Sequence, residues 1–113
     1  KNQLQKDLKN LSLNSKSSIL NSHLIIAYEP VWSIGAGHSD TPEDALEMIK
    51  FIKQTLNSKS YILNSRVLYG GSVNSKNIGD FLKHPEIDGA LVGHASLKAG
   101  EIKRIVEITN KIC

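Results

Sequence analysis

Three short apolar runs constrain this chain most. They cover residues 24–28, 66–69 (apolar after Arg66) and 90–92, each ends at a glycine or an acid-proline pair, and each is followed by apolar residues at helical spacing. After the first run, Ala45, Met48, Ile49, Ile52 and Leu56 form one stripe. Ile78, Phe81 and Leu82 follow the second run, and Ile102, Ile105, Val106 and Thr109 follow the third. Spacings of three and four belong to the buried face of a helix, and short uninterrupted apolar runs belong to strands. Leu4, Leu8 and Leu11 have the same helical spacing, so a helix is expected over about 2–12, ahead of a Ser/Asn-rich loop at 14–21. The resulting order is α-β-α-β-α-β-α. Strands that alternate with helices form a parallel sheet with right-handed crossovers.

Local signals sharpen the boundaries. Thr41-Pro42-Glu43-Asp44 opens a helix: a threonine that can cap, a proline at the first helical position, and two acids at the positive end of the dipole. Asn74 or Ser75 is the expected cap of the helix carrying Ile78. Turn clusters over 57–64 surround Tyr61, Ile62 and Leu63. The 24–28 run is apolar throughout, as in a parallel sheet covered on both faces. No linker or longer repeat divides the chain, so residues 1–113 read as one α/β unit.

Composition excludes several function classes. The hydrophobic share of 40% and charged share of 22% are ordinary for a globular domain. The net charge is +3, but no run of lysines or arginines marks a nucleic-acid or membrane surface. No stretch approaches the ~20 apolar residues of a membrane span. A single cysteine, Cys113, forbids an intrachain disulfide. His23, His38 and His84 form no ligand cluster with carboxylates or with Cys113, so no metal is expected.

In parallel βα folds the catalytic groups collect at the C-terminal ends of the strands. Glu29, the Gly70-Gly71-Ser72 turn and the Gly93-His94 pair all fall at such ends, and Glu29 is the only acid there. An ionised carboxylate accepts protons and can act as a general base beside a C–H acid. A lone glutamate at a strand end can equally be a surface charge. Here it is followed by Pro30-Val31-Trp32 and a loop with Gly35 and Gly37 at its tip, which is the pattern of a base under a hinged cover. Glycine turns can serve tight turning alone. Two of them at neighbouring strand ends provide backbone N–H groups for a phosphate. At His94 the backbone N–H is the preferred donor, with an imidazole facing solvent or anion as the alternative.

Three motifs in order carry a family resemblance. Ala27-Tyr28-Glu29-Pro30-Val31-Trp32-Ser33-Ile34-Gly35-Ala36-Gly37 resembles the sixth-strand and lid signature of the triosephosphate isomerase family. Leu68-Tyr69-Gly70-Gly71-Ser72-Val73 and Asp88-Gly89-Ala90-Leu91-Val92-Gly93-His94-Ala95-Ser96-Leu97 resemble its two phosphate loops. The resemblance runs from about Leu4 to the C-terminus. A complete (β/α)₈ barrel needs roughly 200 to 250 residues. The expected fold is therefore the C-terminal part of a TIM barrel, three parallel strands with flanking helices.

The resemblance implies an aldose–ketose isomerase that interconverts dihydroxyacetone phosphate and D-glyceraldehyde 3-phosphate through an enediolate, with no cofactor. Glu29 would be its base. Gly35, Ser72, Gly93 and His94 would hold the substrate phosphate. Pro30, Val31, Trp32, Ile34 and Gly37 would form the lid, with Tyr69 and Ser72 as its latch. The resemblance also implies a cytoplasmic homodimer in glycolysis and gluconeogenesis, a small-molecule triose phosphate partner, and no nucleic acid or membrane. The family's remaining catalytic groups, a lysine, an asparagine and a histidine, map nowhere on this chain, so the chain alone is expected to be inactive. Two departures stand out: His38-Ser39-Asp40 at the far hinge and His94 in the last loop. The competing readings are another phosphate-binding barrel enzyme and a non-catalytic anion-binding or assembly piece.

Overall fold

The computed structural model of the chain describes residues 3, 5, 6, 24–35, 37–58 and 65–113. Residues 3, 5 and 6 are helical. The rest of the helix expected over 2–12, the loop at 14–21 and most of the turn clusters at 57–64 lie outside the described residues.

Three parallel strands, β1 (Ile25–Tyr28), β2 (Arg66–Gly70) and β3 (Gly89–Leu91), form a sheet in the order β1-β2-β3. Tyr28 pairs in register with Tyr69, and Gly70 pairs with Leu91. Helix α1 (Pro42–Asn57) joins β1 to β2, α2 (Ile78–Leu82) joins β2 to β3, and α3 (Ala99–Ile112) follows β3. This is the α/β architecture of part of a TIM barrel.

Helix α1 starts where its sequence signals it. Thr41 Oγ1 accepts the Asp44 amide at 3.1 Å, Pro42 takes the first position, and Glu43 and Asp44 occupy the first turn. Ala45, Ile49, Ile52 and Leu56 are buried, while Met48 is half-buried at the edge of the stripe. On β2, Val67 and Tyr69 point into the helix layer and are fully buried. The Tyr69 ring stacks on Phe81 of α2, with centroids 4.1 Å apart and planes 8° from parallel. Each large side chain buried here contributes roughly 1.5–3 kcal/mol.

Asp88 ties the layers together at the start of β3. Its carboxylate accepts the Val67 amide at 2.8 Å and the Lys53 ammonium at 2.7 Å, and its own amide donates to Val67 O at 3.0 Å. One acid thus connects β2, the entry to β3, and α1.

Three expectations are corrected. Asn74 and Ser75 do not begin α2, because the chain first makes a turn over 75–77 and the helix starts at Ile78 with Asn77 in the cap position. On α3 the buried stripe centres on Ile105 and Ile108, and Val106 is 51% exposed. The reason is that α3 packs on α2 at Gly79, where a β-carbon would lie 3.7 Å from both Ile108 and Ile112. That fixes the helix's rotation with Val106 outward. Finally, the sheet is covered on one face only among the described residues. Ile25 is 59% and Leu91 46% exposed, and Ala27 is also exposed on that side. The run is apolar because this face is the one that turns inward when a barrel closes, and three strands do not close one.

These contacts predict contrasting costs for two truncations. Phe81→Ala should cost roughly 3–5 kcal/mol, as expected for removing a packed core aromatic. Val106→Ala should stay within about 0.5 kcal/mol, as at an ordinary surface site. Denaturant unfolding of the intact protein measures both, and a large loss at Val106 would contradict the packing of α3.

Candidate active site

Parallel pairing puts the C-terminal ends of all three strands on one side of the molecule. Glu29 follows the last residue of β1, Gly70 ends β2, and Gly93 comes two residues after β3. Extending the register sets Glu29, Gly70 and Leu91 in one row on the uncovered face. Gly70 explains itself in that row. A β-carbon there would lie 2.8 Å from Glu29 Cγ, 3.4 Å from its carboxyl carbon and 3.4 Å from Leu91 Cβ. The glutamate side chain therefore rests across the glycine, and any larger residue at position 70 would push it aside.

The loop 30–40 leaves β1 through buried Pro30 and a short 3₁₀ turn, Val31–Ser33. Ser33 is fully buried and closes the turn: both its amide and its hydroxyl donate to Pro30 O at 2.9 Å. Val31, Trp32 and Ile34 are more than half exposed. Gly35 and Gly37 hold positive φ values of 65° and 78°, with no atom within 4 Å of a β-carbon at either. Their glycines answer to backbone conformation and not to crowding.

The β2 turn holds both ends of that loop. Ser72 Oγ donates to Ser33 O at 2.7 Å. At the far end the Asp40 amide donates to the Tyr69 hydroxyl at 2.9 Å, and that hydroxyl donates onward to Gly71 O at 3.0 Å. Gly71 has φ 139°, and a β-carbon there would stand 3.0 Å from the Tyr69 hydroxyl and 3.1 Å from Ser33 Cβ. Ser72, at φ 50°, is the one non-glycine residue with positive φ among those described.

The third loop stands apart. Gly93 precedes a 3₁₀ turn, His94–Leu97, in which Ser96 donates to Gly93 O through its amide at 2.9 Å and also through its hydroxyl. His94 is exposed and does not have a positive φ, so its backbone does not require glycine. No hydrogen bond joins Gly93 or His94 to the loop 30–40 among the described residues. The strands bring the Glu29 row and the latched loop together, whereas the Gly93 turn shares only their end of the sheet.

Four residues take roles that their sequence pattern did not assign. Ser33 lies two residues before the glycine tip of the loop, and its contacts anchor the stem. Asp40, a departure in sequence, is buried with its amide on Tyr69 and its carboxylate accepting the Thr41 amide at 3.0 Å. Asn77 links the β2 turn to itself, and Glu101 of α3 accepts both the amide and hydroxyl of Ser75 at 3.0 and 2.9 Å. Those two bonds hold the Glu101 carboxyl below its ordinary range. The Asn74-x-x-Asn77 spacing was the available signal for the turn; nothing in the sequence pointed to Glu101.

Beneath Trp32, on the helix side, a cavity of about 280 Å³ is lined by Tyr28, Trp32, Asp40, Asp44, Glu47 and Met48. Its walls explain the Tyr28 hydroxyl, which burial first and the Asp40 carboxylate second push up to about 12, with Tyr69 and Asp44 adding to the effect. Among the described residues no cluster of three His, Cys, Asp or Glu side chains could hold a metal ion. No described helix is long and apolar enough to cross a membrane.

The model of the family described as Triosephosphate isomerase covers residues 1–109. The chain belongs to the triosephosphate isomerase family.

Two outcomes follow from the latch and the cavity. Gly71→Ala should destabilise the protein by roughly 1–3 kcal/mol, since alanine must hold a strained φ and also meet Ser33 and Tyr69. Thermal and denaturant unfolding check this. Tyr28 should titrate late, near pH 12, in an ultraviolet absorbance titration, and Tyr28→Phe should remove that phase. The folded state holds this proton more tightly than the unfolded one. The stability it contributes is therefore complete below pH 10 and lost as pH rises from 10 towards about 12.

Proposed function

We propose that Glu29 is the general base of an aldose–ketose isomerase acting on triose phosphates. The observation that carries this reading is the row Glu29–Gly70–Leu91. It sets an ionisable carboxyl at the strand ends, next to a loop whose two stems are fastened to the neighbouring glycine turn. Family membership supports an isomerase with a small phosphorylated substrate. The finer assignment to dihydroxyacetone phosphate and D-glyceraldehyde 3-phosphate follows from the motifs on which the resemblance rests.

In this reading the Glu29 carboxylate removes a proton from the carbon beside the substrate carbonyl. The electrons move onto the carbonyl oxygen and give an enediolate. The proton of the neighbouring hydroxyl passes to the enediolate oxygen, a transfer for which residues 1–113 supply no group in this reading, and the protonated carboxyl returns its proton to the neighbouring carbon, so the carbonyl and hydroxyl exchange places and no cofactor is consumed. The backbone N–H groups of Gly35, Ser72, Gly93 and His94 hold the phosphate. Gly35 belongs to the loop 30–40, so binding the anion draws that loop over the base. Closure expels water and strengthens electrostatic interactions around the carboxylate.

The chain supplies the base, the lid and the phosphate turns, all within residues 1–113. It supplies no counterpart of the family's lysine, asparagine or histidine, which stabilise charge on the enediolate oxygen. Loss of a single such donor typically costs about 10²–10³-fold. The isolated chain is therefore a poor isomerase in this reading, and activity belongs to a complete barrel, with the family's homodimer, cytoplasmic setting and role in glycolysis and gluconeogenesis.

Glu29→Gln in the full-length enzyme should lower kcat by at least on the order of 10²-fold, because shape is kept and the base is lost. Binding of a phosphoglycolate-type analogue should change far less. Coupled assay with triose phosphates and calorimetry of the analogue measure the two. Near-normal kcat would move the base elsewhere, and turnover of a different phosphorylated substrate alone would favour another barrel enzyme.

A further inference from the structure

The turn after β2 is built around one side chain that no step of the proposed reaction uses. Asn77 Nδ2 donates to Ser72 O at 2.9 Å, and Asn77 Oδ1 accepts the Asn74 amide at 2.9 Å. A carbonyl can only accept and an amide N–H can only donate, so the two bonds fix the orientation of the Asn77 amide group. Asn74 Oδ1 in turn accepts the amides of Lys76 at 2.8 Å and Asn77 at 3.1 Å. Glu101 holds Ser75 from the outside.

Asn77 occupies the cap position of α2, yet its side chain makes no capping bond to the helix. A capping asparagine ordinarily turns its oxygen forward, to the amides of the first turn. Here both polar atoms turn backward, to residues 72 and 74. The residue that accepts the Asn77 amide hydrogen bond is Ser72, held at φ 50° in a conformation that L-residues seldom adopt. From that conformation the Ser72 hydroxyl reaches Ser33 O at 2.7 Å, at the end of the 3₁₀ turn that carries Trp32.

We propose that Asn77 is a positioning residue for the lid: its side-chain amide holds Ser72 in the left-handed conformation from which the Ser72 hydroxyl fastens the lid stem at Ser33. The inference rests on the reading of loop 30–40 as a lid. The mechanical link itself, from Asn77 through Ser72 to Ser33, is testable without substrate.

The discriminating variant is Asn77→Asp. It keeps the size and the acceptor for Asn74, and it places a negative charge at a helix N-terminus, which favours the helix. It removes only the donor to Ser72 O and sets an oxygen against it. The measurement is limited proteolysis of the ligand-free full-length protein, following cleavage between Trp32 and Gly37, with thermal unfolding alongside. Cleavage in Asn77→Asp should rise roughly three- to tenfold, the size set by losing one hydrogen bond. Ser72→Ala should show a similar rise, and the double variant should be cleaved no faster than Ser72→Ala alone. Asn77→Ala, which removes both bonds, should match Asn77→Asp at the lid.

Cleavage of Asn77→Asp at the parent rate overturns the proposal. So do single-variant effects that multiply in the double variant, and so does faster cleavage spread across α2 and β3, which marks general loosening. If the ligand-free results hold but a saturating triose phosphate analogue leaves lid cleavage unchanged, the coupling stands and the functional reading falls instead.

Discussion

The Tyr69 hydroxyl is the point on which the site depends. The tyrosine ring is fully buried and stacked on Phe81, so it belongs to the core between sheet and helices. Its hydroxyl emerges where β2 ends, accepts the Asp40 amide and donates to Gly71 O. A rigid core group thus fixes both the far stem of loop 30–40 and the glycine turn. A flexible side chain could make the same two bonds, but it would lose rotamer freedom to do so. Here packing has already removed that freedom, and the hydroxyl is delivered in place.

The same economy explains the one-sided sheet. Val67 and Tyr69 alternate with Leu68 and Gly70, so β2 gives its larger buried groups to the helices and its glycine to the opposite face. That glycine leaves room for Glu29, which would otherwise meet a β-carbon 2.8 Å from its Cγ. Stability is therefore built on one face, and the Glu29 carboxyl lies on the other, at the strand ends. The uncovered residues Ile25 and Leu91 are apolar because they face the interior of a closed barrel in this family, where side chains from all strands fill the centre.

Much of this was legible in the sequence, for reasons that differ by element. The start of α1 was plain because cap, proline and acids all act locally. The strands were plain because short apolar runs that end at a glycine or an acid-proline pair admit few alternatives. The outward turn of Val106 was not legible, since the rotation of α3 is set by Gly79 on another helix. Asn74 and Ser75 looked like caps because the same side-chain chemistry that caps a helix also closes a turn, and only the fold decides between them. Glu29, Gly71 and Gly93 could be assigned to strand ends, but the Ser33 anchor depends on Ser72, a partner 39 residues away.

Asp40 shows how a departure from the family pattern can be absorbed without disturbing the latch. The position contributes its backbone amide to Tyr69, and that contribution does not depend on the side chain. The side chain adds a buried carboxylate, of which one oxygen has no hydrogen-bond partner among the described residues. It accepts the Thr41 amide just before α1, where the helix dipole favours negative charge, and it faces the Tyr28 hydroxyl, whose proton it helps to retain. The carboxylate of the hinge thus bears on β1 through the charge it sets beside Tyr28. On the proposed reading, lid opening at this stem must part the Asp40 amide from Tyr69 while the carboxylate stays beside Tyr28, so the substitution bears on the rate of lid motion and leaves the identity of the base untouched.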